Sequence, residues 1–392
     1  MPREPLLLIG ASVRAAAQSA AAAGFEAGAI DLFGDADLCR TAPTVRRSNR
    51  FPADALLLAE SFPPGPWLYT GGLENHPRLV ARLAARRPLL GNVPEVLRRV
   101  RDPQWLAAWL ERSGSSIAMP RVHAEADGAI PSAEAGSWLV KHRRSSGGLA
   151  VRPATIGELV GQGLPTDRGR YLQRLMAGTS YGASYLAAGR TACFLGLAEQ
   201  LAAPAVDGSA PFRYGGSITV PLDDYDRNLL EELGARLAGE FALCGLFGID
   251  LIRDVAGRWW LLEVNPRPTA SMDLWESPTA SSLVAMHVDA CRSGYLPSLP
   301  PPSGSPLRAR KVVYSGALRG RVPPELTESL LRGADGRGQC IVADIPAAGS
   351  FVEPDQPLVT LSATGATREE LLAALAQAER NLLGLFAESL VE

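Results

Sequence analysis

The chain has 392 residues, 46% of them hydrophobic, and a net charge of −2 with both signs mixed along it. That length exceeds one ordinary core and implies two or three domains, and the even charge balance excludes a polyanion-binding surface, so no nucleic-acid partner is expected. Cys39, Cys193, Cys244, Cys291 and Cys340 are scattered without a CxxC pair, which argues against a disulfide framework and against a zinc ribbon. No apolar run reaches the length of a membrane span, and Met1–Ile9 lacks a signal-peptide pattern. A cytoplasmic protein without a membrane partner is expected. Of 39 basic residues only Lys141 and Lys311 are lysine. In so arginine-rich a chain they are either chance or places where arginine does not work.

Leu6–Ile9 reads as a buried parallel strand that ends at Gly10. Ala15–Ala23 is a strong helix former stopped by Gly24, and Ala27–Asp31 is a second strand ending at an acid. This is a βαβ opening with a crevice at the strand C-termini. Ala55–Ala59 and Pro66–Thr70 read as further strands, and residues 77–112 as mostly helical. Residues 1–112 thus form a doubly wound α/β unit.

Gly114 and Pro120 mark a change of style. Ser137–Lys141 reads as a strand, Arg143–Gly148 as a loop and Leu149–Val151 as the return strand. Arg170–Met176 is strand-like. Tyr181–Ala188 and Thr191–Leu197 resemble an antiparallel pair joined at Gly189. Asn228–Phe241 carries Leu229, Leu230, Leu233, Leu237 and Phe241 near one helical face. Gly248–Ile252 and Trp259–Val264 are strands around the turn Asp254–Gly257. The Pro- and Ser-rich stretch Leu299–Pro306 is a linker by composition. Short β-like runs follow at Lys311–Tyr314, Gln339–Val342 and Leu358–Leu361, then a helix from Arg368 to about Phe386 opened by the capping box Thr367–Glu370. The division is 1–112, 113–298 and 307–392, with the last a small β-rich unit carrying a terminal helix; the fold class is α/β and α+β.

Four features carry chemistry. Lys141 ends a strand before a Ser-Ser-Gly-Gly loop; an ammonium there reaches phosphates as a point charge, and Gly147 and Gly148 let backbone amides close over them. A solvated hairpin tip has the same pattern. Gln173–Gly178 is an extended segment whose backbone suits an adenine edge while Leu175 or Met176 packs the ring; an ordinary strand alternates in the same way. Asp250 lies inside an apolar run, and Glu263 and Asn265 stand at the end of the next strand on one face. A hairpin brings the two strand ends together. These oxygen ligands suit magnesium, which takes one or two carboxylates plus phosphate oxygens. A buried acid paired with arginine is the other reading, and both demand a partner.

Leu261–Pro268, with Glu263 thirteen residues after Asp250, resembles the signature of ATP-grasp enzymes. The lysine-and-glycine loop and Gln173–Gly178 fall in the order of that family, and the first unit looks like its pre-ATP-grasp domain. Gly10–Arg14 and Ile30–Phe33 look closest to a branch of predicted ATP-dependent carboligases, related to biotin carboxylase and associated with tetrahydromethanopterin or methylofuran one-carbon metabolism. The resemblance implies ATP and Mg2+ as cofactors. It implies that Lys141 holds the α/β-phosphates, that Gly147 and Gly148 cover them, and that Gln173, Arg174 and Met176 contact adenine. Asp250, Glu263 and Asn265 become the magnesium ligands. Arg267 contacts the transferred phosphate or a substrate carboxylate, and Arg213, in a loop Arg213–Gly216, is a second phosphate clamp. Two departures stand out. Ser180 occupies the place where many members bind ribose with a glutamate, and Arg101 replaces a lysine near the start of the ATP-binding half.

The implied reaction converts a carboxylate to an acyl phosphate and ADP, after which an amine attacks the acyl carbon. The substrates are a small-molecule acid and amine, glutamate or another amino acid among them, and a homodimer is compatible. Acceptor candidates lie at the strand ends: Ser12, Arg14, Asp31 and Glu74, with Asn75 and His76 beside them. Ser12 serves equally as a helix N-cap and Arg14 as a surface charge. His123, His142 and His287 read as surface or packing residues. Two other functions compete, a bicarbonate-using ATP-dependent carboxylase and a non-catalytic nucleotide-binding sensor or scaffold. A Rossmann dehydrogenase is weaker still, because Gly10-Ala11-Ser12 lacks the GxGxxG fingerprint.

Overall fold

The computed structural model describes residues 3–123, 137–155, 169–203, 211–276, 282–298, 306–333 and 340–391. Most of the linker at 299–306 lies outside them.

The N-terminal strands form a parallel sheet in the order Thr44–Arg47, Glu26–Asp31, Pro5–Ile9, Trp67–Tyr69. Successive residues of the first strand feed opposite faces. Leu6 and Leu8 join a cluster with Ala17 and Ala20 of the helix Arg14–Ala22, whereas Leu7 and Ile9 join Trp67, Tyr69 and Leu73. Each of these buried leucines and the isoleucine contributes roughly 1.5–3 kcal/mol. Ala55–Ala59 is not a strand: it forms a short helix Ala55–Leu58 continued by a 3-10 turn Ala59–Ser61. Ala55, Leu56 and Ala59 are buried while Leu57 is 66% exposed, so the apolar run has one dry face at helical spacing.

The large sheet has eight strands, all antiparallel, in the order Trp259–Asn265, Cys244–Arg253, Thr179–Ala188, Ala192–Ala202, Tyr214–Val220, Leu307–Tyr314, Pro357–Gly365, Cys340–Ala343. The helix Asp224–Phe241, capped by Asp223 on the Asp226 amide, buries Leu230, Leu233, Leu237 and Phe241 in the central core. Leu106, Trp109 and Leu110 of the helix Pro103–Arg112 enter the same core, although the sequence division assigns them to the first unit. The C-terminal strands continue the large sheet through the pairing of Gly216–Ile218 with Ala309–Lys311. The Arg213–Gly216 stretch is therefore a strand entry and not a loop. Thr367 and Glu370 form the expected capping box of the helix Arg368–Ser389.

A second, four-stranded antiparallel sheet runs Val122–His123, Arg170–Arg174, Trp138–His142, Arg152–Pro153. The return strand is Arg152–Pro153 and not Leu149–Val151; the glycine loop takes up those residues, leaving Leu149 65% exposed.

Two buried polar side chains brace the first unit against the large sheet. Asn92 donates to the carbonyls of Cys244 (3.1 Å) and Pro266 (3.0 Å) and accepts from the Cys244 amide (2.9 Å). His287 accepts from the Leu246 amide at Nδ1 (2.9 Å), so its Nε2 (3.1 Å) donates to the Leu90 carbonyl. Burial holds the imidazole neutral, with its pKa lowered to about 4. Because the unfolded chain takes up that proton near pH 6.5, stability is full above it and lost on acidification. Urea unfolding should show His287 removing about 2 kcal/mol between pH 7 and pH 5. A His287→Gln variant, though weaker at pH 7, should lack that component; an equal pH slope in both proteins would contradict the assignment.

Candidate active site

A one-residue bulge sets the geometry. From the turn, Arg253 pairs with Trp259, Ile252 with Trp260 and Leu251 with Leu261. Continued straight, that register would face Asp250 with Leu262. The register instead shifts after Leu251, so that Asp250 faces Glu263 and Gly248 faces Asn265. Without the extra residue Asp250 and Glu263 would point to opposite faces of the sheet.

Asp250 and Glu263 face each other, and their charges oppose. Burial and the Glu263 charge push the Asp250 carboxyl up; burial also raises Glu263, but Lys141 and Arg101 outweigh it and hold it below its usual range. Asn265 Nδ2 bridges them, at 3.1 Å from Asp250 and 3.4 Å from Glu263, and Gln200 Nε2 donates to Asp250 at 2.8 Å. Among the described residues no three His, Cys, Asp or Glu side chains gather into a metal site. The two carboxylates fit a hard cation that draws its other ligands from water and phosphate, as magnesium does, and Asn265 adds a ligand once its amide turns its oxygen towards them.

These residues line a cavity of about 390 Å³ between the two antiparallel sheets. Lys141 and Gln173, from neighbouring strands of the smaller sheet, line the opposite wall. Lys141 is 8% exposed and has no hydrogen-bond or ion-pair partner among the described residues. Burial lowers its pKa, with Glu263 and Asp250 opposing that shift. A buried ammonium without a partner is costly, and an anion in the cavity relieves it. Gly147 and Gly148, Arg174 to Met176 and Ser180 share the lining. Both glycines have positive φ, and a Cβ on Gly148 would strike the Phe212 carbonyl. Gln173 donates to the Leu262 carbonyl (3.3 Å), while Arg174 and Leu175 are exposed.

Several candidates take positions other than those expected. Arg101 does not point freely at a phosphate: its Nη2 donates to Asn75 (2.9 Å) and to the carbonyls of Ser145 (3.2 Å) and Arg143 (3.4 Å), holding the glycine loop from behind. Arg213 lines the cavity but forms a bidentate pair with Asp355, both contacts at 2.8 Å, and stacks on Tyr314. Asp31 spends its oxygens on the amides of Val13, Phe33 and Gly34, which closes a loop instead of facing a substrate. Glu74 is fully buried. It accepts from Arg267 Nε at 2.9 Å and from the Gly72 amide at 2.6 Å, so it positions Arg267.

Arg267 stands in the wall common to the first cavity and a second one of about 310 Å³. Ser12 and Arg14 line this second cavity, with Met272, Asp273, Arg310 and Leu358. All three units of the chain contribute. Sequence reading passed over Gln200, Asp273 and Arg310. Gln200 had one signal, a place beside Glu199 as the two polar residues inside the otherwise apolar run Leu195–Ala202, and Arg310 had none.

Residues 104–271 match a family described as ATP-grasp domain. The fold is that of ATP-grasp enzymes. No curated protein sequence matches the chain. Among solved structures, pyruvate carboxylase of Rhizobium etli is similar at 14% identity and a TM-score of 0.72 over 96% of this chain, which covers 37% of that larger protein. The biotin carboxylase domain of the Hydrogenobacter thermophilus 2-oxoglutarate carboxylase, solved with MgADP and bicarbonate, gives 14% identity and 0.68, covering 95% of this chain and 89% of the other. N5-carboxyaminoimidazole ribonucleotide synthetase of Thermus thermophilus gives 17% and 0.68, covering 96% and 98%. The likeness extends beyond the ATP-grasp domain to both flanking units. No helix among the described residues is long and apolar enough to cross a membrane.

Glu74→Gln should leave the Arg267 guanidinium buried without its counter-charge. Urea unfolding should report a loss of about 3 kcal/mol. A loss below about 1 kcal/mol would show that Glu74 does not hold Arg267.

Proposed function

We propose that the chain is an ATP- and magnesium-dependent carboxylate–amine ligase that forms an acyl phosphate, releases ADP and then makes an amide. The buried, unpartnered Lys141 facing the Asp250–Glu263 pair across one cavity carries this reading. Magnesium bound at Asp250, Glu263 and Asn265 would neutralise phosphate charge. Lys141 draws the phosphates in, and the backbone of Gly147 and Gly148 covers them. The segment Gln173–Met176 lies along adenine, with Leu175 and Met176 against the ring and Ser180 near the ribose. Arg267, fixed by Glu74 in the shared wall, orients the substrate carboxylate towards the transferred phosphate. Arg213 reaches a phosphate only by releasing Asp355. Catalysis on this account is positioning and charge stabilisation, with no protein nucleophile.

A bicarbonate-using carboxylase is the second reading. The fold likeness to biotin carboxylase and to the ribonucleotide synthetase favours it. A non-catalytic nucleotide sensor is disfavoured by the presence of Asp250, Glu263, Asn265 and Lys141 together. Placement in one-carbon cofactor biosynthesis is supported by the sequence resemblance alone.

The test is ADP release from ATP in the presence of pooled carboxylic acids and hydroxylamine. ADP and hydroxamate should form in equal amounts, in a magnesium- and acid-dependent manner. Lys141→Met and Glu263→Gln should each slow release by at least about 100-fold. ADP release that follows bicarbonate and ignores organic acids would put the carboxylase in place of the ligase.

A further inference from the structure

The wall of the second cavity carries three arginines, and each is already matched. Arg14 bonds Asp344 (2.9 Å), Arg310 bonds Asp273 (2.6 Å) and Arg267 bonds Glu74 (2.9 Å). The acids near Arg14 are satisfied as well, with one exception. Asp31 accepts three backbone amides, and Asp37 accepts those of Asp344 and Ile345, both at 3.0 Å. Asp35 is the exception. It is 6% exposed, it lines the cavity, and its carboxylate has no hydrogen-bond or ion-pair partner among the described residues, with Oδ2 wholly buried. It stands at the N-cap of the short helix Ala36–Thr41 yet makes no capping bond, so local structure does not account for an acid there.

We propose that Asp35 is the seat of a primary ammonium group, and that the second cavity takes an amine whose body is apolar. This rests on the ligase reading only for calling that amine the acceptor. A carboxylate buried without a partner is costly, so the empty group keeps its proton, and a cationic ligand stabilises the ionised form in its place. A metal ion is the poorer occupant. No set of three ligating His, Cys, Asp or Glu side chains gathers among the described residues, and Ala16, Phe33, Leu246, Val284 and Leu358 give the cavity dry walls. Such walls suit a carbon chain carrying one charged end. An anionic ligand meets Arg14 and Arg310 already committed to Asp344 and Asp273, and only Arg267, in the wall shared with the first cavity, is assigned a carboxylate. Burial and the neighbouring acids Asp344, Asp31 and Asp37, against Arg14, push the empty carboxyl up to about 9, so it holds its proton at pH 7.5 and releases it to solvent when an ammonium binds.

The experiment uses the full chain and three probes of similar size: n-pentylamine at pH 7.5, pentan-1-ol and pentanoate. Binding is measured by saturation-transfer NMR titration, with MgADP affinity measured in parallel. Pentylamine should bind at least about 10-fold more tightly than pentan-1-ol, and pentanoate, whose place is at Arg267, should respond to neither Asp35 variant. Asp35→Asn should abolish that preference while leaving MgADP affinity within about two-fold; Asp35→Ala serves if the amide variant misfolds. Pentylamine binding no tighter than pentan-1-ol, or an amine preference over the alcohol retained by both variants, would overturn the proposal. Failure of MgADP to bind the wild type would instead sink the ligase reading and leave the amine seat to be judged on the three probes.

Discussion

The register of one hairpin governs the candidate site. Asp250 and Glu263 face each other because the strand pairing slips by a residue between Asp250 and Leu251. A regular hairpin of the same sequence would send the two carboxylates to opposite faces, one into the cavity and one into the core. Having both on one face is energetically awkward in isolation, and the surroundings answer it. Gln200 and Asn265 donate to the pair, and Lys141, across the cavity, is the cation that does most to hold Glu263 ionised. The cost that remains, an unpartnered ammonium beside two close carboxylates, is what a nucleotide with its divalent cation relieves at both ends.

The remainder of the molecule holds that hairpin against two flanking units. Asn92 and His287 tie the first unit to the strand that carries Asp250, using only neutral hydrogen bonds. Glu74, also in the first unit, fixes Arg267, two residues beyond the end of the hairpin. On the other side the C-terminal strands extend the same sheet, and Arg310 of that extension bonds Asp273. Arg14 reaches across to Asp344. The second cavity therefore has walls from three segments far apart in sequence, all anchored by ion pairs whose members are largely buried. Opening it requires breaking such pairs, which costs more than parting a surface contact.

Much of this was legible in the sequence. The apolar runs of the first parallel strands, the helix Asp224–Phe241 and the hairpin strands all announce themselves by pattern and by their turn residues. The acids Asp250 and Glu263 stand out because a charged residue within an apolar run demands a partner. What the sequence concealed depends on tertiary context. A bulge leaves no mark on composition, so a motif suggests that the two acids face each other while strand alternation alone would separate them. Ala55–Ala59 is apolar throughout except for its neighbours, and only its packing shows one dry face at helical spacing. Arg101, Arg213 and Asp31 are chemically suited to phosphate or substrate, yet the fold commits them to a loop, to Asp355 and to backbone amides. The continuity of the C-terminal strands with the large sheet joins residues almost a hundred positions apart, which no local pattern reveals.

The most direct test of the central claim is a thermal shift with MgADP, with NADH as control, on wild type and on Asp250→Asn/Glu263→Gln. Ligand at about a hundred times its dissociation constant adds roughly 2.7 kcal/mol of stability, which is readily seen. The account predicts magnesium-dependent stabilisation of the wild type that is absent in the double variant. Stabilisation of both proteins alike, or a response to NADH in place of MgADP, would contradict it.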